Sequence, residues 1–296
     1  MRLVLMAAGH GRRFGGLKQL APVGPVGEAV MDYTVRFAEQ AGYDSVVLVV
    51  REAIREEVVT HVKRMWPSDL AVAIAVQKED RPGTAYALLS ARPEIDGPFA
   101  VANADDLYEH DALAAIRRHF DAGSAAEAST TPHLLVAYEL VSTVLTAAEV
   151  KRGLCLVDSS GELASVVEHR VRLRSDGRFD GVPLSDHTDQ SLENRTPAVL
   201  RGDERVSMNL WGFAPRILDH LLHAVAPYEP GGPGEEVLLP TVVGSLVRAR
   251  RDRVQVVSTK SRCYGITHPE DVRLVREHLE LTHPAADQAE SVDTRL

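Results

Sequence analysis

The chain has 296 residues, 45% hydrophobic and 25% charged, with a net charge of −9. This is a soluble globular composition, and the acidic balance excludes a general nucleic-acid binder, which needs a basic face for phosphate backbones. Two cysteines in no ligand pattern exclude a disulfide framework and a structural zinc site, and no apolar run approaches a membrane span. A strand that starts within two residues leaves no room for a signal peptide, so the expected location is the cytoplasm.

In chain order, the apolar run Leu3–Met6 reads as a buried strand that opens into a loop holding Gly9, Gly11, Gly15 and Gly16, two arginines and Lys18. Glycines let backbone N–H groups converge on anionic oxygens, and Arg13 and Lys18 supply charge for a polyphosphate. The spacing is neither a Walker A loop, because Lys18 is followed by Gln19, nor a Rossmann fingerprint, because Gly11 is followed by Arg12, Arg13 and Phe14. What remains is G-x-G-x-R-x-x-x-x-K-Q.

Helix and strand patterns then alternate: helix over 30–40, strand 45–50, helix 53–65, strand 70–76, helix 84–91 and strand 98–102. This rhythm predicts a parallel sheet with ligands at the carboxyl ends of its strands. Two polar segments fall at such ends. Gln77, with both a donor and an acceptor, could read a nucleobase edge; Gly83 permits close approach, and Thr84 is also a natural helix cap. Asp105 and Asp106 follow the next strand, where a carboxylate can hold Mg²⁺ against substrate phosphates; Asp105 is the one favoured for the metal, and Asp106 could equally cap the turn or helix that follows.

The second half reads as strands over 134–141, 153–158, 163–169 and 206–213, helices over 216–226 and 235–247, a strand over 254–259 and a helix over 269–281. The polar stretch 174–205 reads as an excursion or lid, and 283–296 as a disordered tail. One domain over 1–282 is the economical organisation. In the segment SMNLWGF, Asn209 could bond a sugar hydroxyl, and Trp211 could stack on a sugar ring or fill the core.

The segments MAAGHGRRFGGLKQL, QKEDRPGTAYAL, ANADDLY, VVEH and SMNLWGF, in that order over roughly residues 2–280, resemble the sugar-1-phosphate nucleotidyltransferase family. The resemblance implies an α/β three-layer sandwich with a mostly parallel, mixed central sheet, the nucleotide-diphospho-sugar transferase (glycosyltransferase-A-like) fold. It places the nucleotide in the half over about 1–125 and the sugar phosphate in the half over about 126–282. It implies that Ala8, Gly9, Gly11, Arg13, Gln77, Gly83, Thr84 and Asn103 bind nucleotide. Arg13, Lys18 and Asp105 would be catalytic, with Asp105 on Mg²⁺, and Glu168, Arg170, Asn209 and Trp211 would bind the acceptor.

The chain departs from the family pattern at several positions. Arg12 stands where Thr or Ser is common, and the Arg13-to-Lys18 spacing is shorter, more like the molybdopterin nucleotidyltransferases. The glutamate of V-E-K is followed here by His169 and Arg170, and the late second aspartate has no counterpart in EEVLLPTVVG, with Asp219, Glu235 and Glu236 nearby. The expected reaction is Mg²⁺-dependent transfer of a nucleotidyl group from an NTP, UTP or dTTP by preference, to a sugar or cyclitol 1-phosphate. The alternatives are a non-sugar acceptor such as molybdopterin or an alcohol phosphate, a glycosyltransferase-like protein, and an inactive nucleotide-binding protein. The sequence leaves a homo-oligomer open.

Overall fold

The structure is a computed structural model that describes residues 1–11, 14–122, 130–146, 148–184, 198–227 and 236–283. Arg12, Arg13, Glu235, residues 185–197 of the expected lid and residues 284–296 of the expected tail lie outside them.

The first half follows the predicted alternation. Strand β1 (Arg2–Met6) leads through the glycine loop to helix α1 (Val30–Gln40), then β2 (Ser45–Arg51), α2 (Arg55–Met65), β3 (Ala71–Gln77), α3 (Thr84–Ser90) and β4 (Phe99–Asn103). A short strand β5 (Asp106–Leu107) and helix α4 (His110–Asp121) come next; neither was expected from the sequence. The remainder is β6 (His133–Glu139), β7 (Val150–Val157), β8 (Leu163–Leu173), β9 (Phe179–Pro183), β10 (Ala198–Leu200), β11 (Arg205–Phe213), α5 (Ile217–Val225), α6 (Leu239–Arg248), β12 (Val254–Thr259), β13 (Tyr264–Gly265) and α7 (Asp271–Thr282).

Eleven of these strands share one sheet, in the order β10-β9-β8-β7-β11-β4-β1-β2-β3, with β6 and β12 branching from β11. Strands β3, β2, β1 and β4 are parallel, whereas β11 runs antiparallel to β4, β6 and β7. Strand alternation sends odd and even positions to opposite faces. Leu3, Leu5, Leu48 and Val50 therefore pack with α1, α2, α4 and α7, while Val4, Met6, Val47 and Val49 pack with α3, α5 and α6. Each fully buried aliphatic side chain contributes about 1.5–3 kcal/mol. The result is a three-layer sandwich with a mixed, mostly parallel sheet, as expected.

The excursion over 174–205 is corrected in part. Its described ends form β9 and β10, which extend the sheet, because Phe179 and Leu200 are buried and anchor the pair to β8. Their polar neighbours masked that one-sided pattern in sequence. No helix among the described residues is long and apolar enough to cross a membrane.

Candidate active site

The carboxyl ends of β1, β2, β3 and β4 form one edge of the sheet, and the expected nucleotide residues that are described, Ala8, Gly9, Gly11, Gln77, Gly83, Thr84 and Asn103, follow or end those strands. After β1 the chain turns through Gly11, whose φ is +59°. A Cβ at this position would lie 2.7 Å from the Gly16 carbonyl, so only glycine fits without displacing the loop. The turn is closed by Phe14 and Gly15 N–H donating to Gly11 O at 2.9 and 3.1 Å. Beneath it, the buried Gln19 donates both amide hydrogens, to Ala7 O at 2.9 Å and Gly9 O at 2.7 Å. Gln19 thus fixes the backbone of Ala7 to Gly9, a role that its position after Lys18 in the motif does not signal.

Lys18 and Asp105 meet. Lys18 Nζ forms an ion pair with Asp105 Oδ2, both side chains about one-fifth exposed. This contact joins residues 87 positions apart and brings the glycine loop to the end of β4. The adjacent Asp106 turns inward. Its Oδ2 accepts from Asn103 Nδ2 at 2.8 Å and lies 3.1 Å from the Tyr108 hydroxyl. Burial, with the Asp105 charge beside it, pushes the Asp106 carboxyl up to about 7. The Tyr108 hydroxyl also donates to Met208 O at 2.6 Å, and one proton cannot serve both acceptors. A proton on Asp106 resolves that conflict. The two aspartates therefore separate into an accessible carboxylate and a structural one.

Asn103 and Asn209 are tied to each other. Asn209 sits in a bulge of β11 at φ +60°, donates from Nδ2 to Asn103 Oδ1 at 2.8 Å, and accepts from Trp211 Nε1 at 2.7 Å. The two amides join β4 to β11 where the sheet forks, leaving each only part of its bonding capacity for a ligand. Trp211 itself is 0% exposed and stacked on Phe213 at 5.7 Å, so it fills the core and presents no face to a sugar. This corrects its expected place among the acceptor-binding residues in favour of the core role that the sequence also offered.

The segment after β3 is built around Gln77 and Gly83. Gln77 Nε2 donates to Arg81 O at 2.8 Å and Gly83 O at 3.0 Å, which shapes the loop into α3. Gly83, at φ +104°, lies against Val237; an added Cβ would sit 2.6 Å from the Val237 nitrogen. Thr84 Oγ1 accepts from Leu239 N at 2.8 Å. Thr84 therefore anchors the start of α6.

Further along the sheet, Ser207, Gly153 and Glu168 lie in register on β11, β7 and β8. Glu168 receives Lys151 Nζ at 3.4 Å, and Arg170 Nε lies 3.2 Å from Glu149 Oε1; all four side chains are about half exposed or more. Such exposed pairs contribute about 0–1 kcal/mol, so they exchange partners readily. Lys151 was not visible as a site candidate, because only the β7–β8 register brings it beside Glu168. Asp219 pairs instead with Arg92 at the surface. Among the described residues, no three His, Cys, Asp or Glu side chains converge as a cation cage.

The fold is the nucleotide-diphospho-sugar transferase fold of the glycosyltransferase-A-like kind. Residues 2–134 match the model of the nucleotidyl transferase family, and the chain resembles the sugar-1-phosphate nucleotidyltransferases. Solved structures agree in fold over nearly the whole chain. An inositol-1-phosphate CTP transferase from T. maritima is 15% identical, with 95% of this chain and 96% of that chain covered and a TM-score of 0.63. A putative glucose-1-phosphate thymidylyltransferase from Bacillus anthracis, in complex with a sucrose, is 10% identical over 94% of each chain, TM-score 0.65. A UDP-glucose pyrophosphorylase complexed with UDP-glucose is 17% identical over 95% and 99%, TM-score 0.58. No curated protein matches the chain in sequence.

Proposed function

We propose that this chain is a Mg²⁺-dependent nucleotidyltransferase. It transfers the nucleotidyl group of an NTP to a sugar or cyclitol 1-phosphate and releases pyrophosphate. The observation that best supports this reading is the meeting of Lys18, from the glycine loop, with the accessible Asp105 at the end of β4. The family match over residues 2–134 points to the same reaction class.

An oxygen of the acceptor phosphate attacks the α-phosphorus in line, and the bond to the pyrophosphate oxygen breaks. The attacking phosphate is already ionised, so no general base is required. Catalysis rests on positioning and on neutralising charge. The loop over Ala8 to Gly11 lines the triphosphate with backbone, and Lys18 supplies a cation to its oxygens. Arg13, expected from the sequence to add a second cation, lies outside the described residues.

The donor set suits magnesium. Asp105 offers a hard oxygen ligand beside the phosphate loop, and magnesium is commonly held by one or two carboxylates plus substrate phosphates. When bound there, the ion would neutralise developing charge and orient the phosphates. The half over 126–282 would take the acceptor: Glu168 bonds its hydroxyls, while Lys151 and Arg170 offer cations to its phosphate.

The test is pyrophosphate release from a matrix of NTPs and sugar or cyclitol 1-phosphates. Lys18→Ala and Asp105→Ala are each expected to lower kcat at least ~100-fold with an unchanged fold by circular dichroism. Near-normal release by either variant would remove that residue from the mechanism.

A further inference from the structure

Strand β2 lies between β1 and β3, so whatever bridges the β1 loop and the β3 loop passes over its carboxyl end. Arg51 occupies that end, in register with Gln77 of β3. Paired residues of neighbouring parallel strands project to the same face. Arg51 and Gln77 thus continue the rows of Val49 and Ala75 on the face that also carries Met6 and Ala8.

Arg51 is half-buried, its Nε is buried with no hydrogen-bond partner, and no ion pair engages it among the described residues. The nearest acidic neighbour in sequence, Glu52, faces Arg55 instead, at 3.6 Å. A guanidinium desolvated on one side without a partner is costly unless a ligand supplies acceptors. Gln77 has the complementary imbalance. Both hydrogens of its Nε2 are engaged by Arg81 O and Gly83 O, which fixes the amide orientation, since Oε1 placed there would face two carbonyls. Oε1 is left as an acceptor on the residue paired in register with Arg51.

We propose that Arg51 and Gln77 select the nucleobase, and that the base is cytosine. This rests on the nucleotide site proposed above. The guanidinium fork presents two donors and Gln77 Oε1 one acceptor. Cytosine offers the matching order along one edge: O2 and N3 accept and the 4-amino group donates. Uracil and thymine set N3–H against the guanidinium and O4 against Gln77 Oε1, two repulsive contacts in place of two bonds. Guanine offers the fork O6 and N7 but no donor for Oε1 on that edge. The two residues thus replace the expected preference for UTP or dTTP with one for CTP.

The experiment is titration calorimetry of the full chain, with Mg²⁺, against CTP, UTP, dTTP and GTP. A site built to hydrogen-bond one base edge rejects the mismatched base, so CTP is expected to bind at least ~10-fold more tightly than UTP or dTTP. Arg51→Met, which keeps the apolar stem and removes the donors, is expected to bring CTP and UTP within about twofold of each other. Independently of any variant, a CTP analogue lacking the 4-amino group is expected to bind the unaltered protein several-fold more weakly than CTP. Equal affinity for CTP and UTP, or an Arg51→Met variant that keeps the margin, would overturn the base assignment alone. Failure to bind any of the four nucleotides would instead overturn the nucleotide site, and the proposed function with it.

Discussion

At the scale of single residues, the loop after β1 is held from below as well as shaped from within. Gln19 is 2% exposed and donates to two backbone carbonyls, of which the buried one, that of Ala7, would otherwise lack this donor. Gln19→Leu is therefore expected to destabilise the protein by about 1–3 kcal/mol, since a buried acceptor without a partner costs that much. Chemical denaturation measures this, and an unchanged midpoint would show that water replaces the side chain. Asp106 gives a residue-scale test of a different kind. Its raised carboxyl means the folded state holds a proton that the unfolded chain releases above about pH 4. That stabilisation is complete below the unfolded value and is lost as pH rises towards 7. Asp106→Asn, neutral at every pH, is expected to flatten the fall in melting temperature between pH 5 and 8; an unaltered slope would place the titrating group elsewhere.

At the scale of elements, the contact between α3 and the entry to α6 depends on two residues. Gly83 approaches the Val237 backbone too closely for a side chain, and Thr84 receives Leu239 N–H. Gly83→Ala must overcome both a positive φ and that clash, so it is expected to lower stability by more than the ~1 kcal/mol of Thr84→Val. Thermal melting of the two variants checks the order. Most elements of the first half were legible in the sequence, because continuous apolar strands alternate with amphipathic helices there. Helix α4 was not singled out, and β9 and β10 were hidden in a polar stretch where only Phe179 and Leu200 signal the buried face. At the site, the glycine loop, Lys18 and Asp105 were legible from residue type and order. The pairing of Lys151 with Glu168 and the partnerless Nε of Arg51 arise from strand register and from what fails to meet in space, and neither is written in residue order.

At the scale of the whole molecule, one buried carboxylate joins parts of the chain that are far apart. Asp252 accepts from Arg216 at 2.8 and 2.9 Å and lies 3.0 Å from His133 and 3.2 Å from His220, tying β6, α5 and the approach to β12. Burial opposes its charge, but the hydrogen bonds from His133 and Arg216 outweigh that and hold the carboxyl well below the usual range. Burial also lowers His133. Both shifts act in one direction. The unfolded chain takes up protons that the folded one does not, so stability falls as pH drops below about 6.5 for His133 and below about 4 for Asp252. Asp252→Ala strands Arg216 and His133 and is expected to cost about 3–5 kcal/mol. A melting temperature within 2 °C of the unaltered protein's, or about 0.5 kcal/mol for a chain of this size, would contradict that role.

The central claim is that the α-phosphorus moves to the acceptor phosphate while the β- and γ-phosphates leave together. Following phosphorus labels during turnover with Mg²⁺ and a sugar or cyclitol 1-phosphate tests it most directly. An α-label is expected in a nucleoside-diphosphate-linked product and a γ-label in pyrophosphate, in equal amounts. An α-label recovered in free nucleoside monophosphate, or a γ-label recovered in inorganic phosphate, would contradict it.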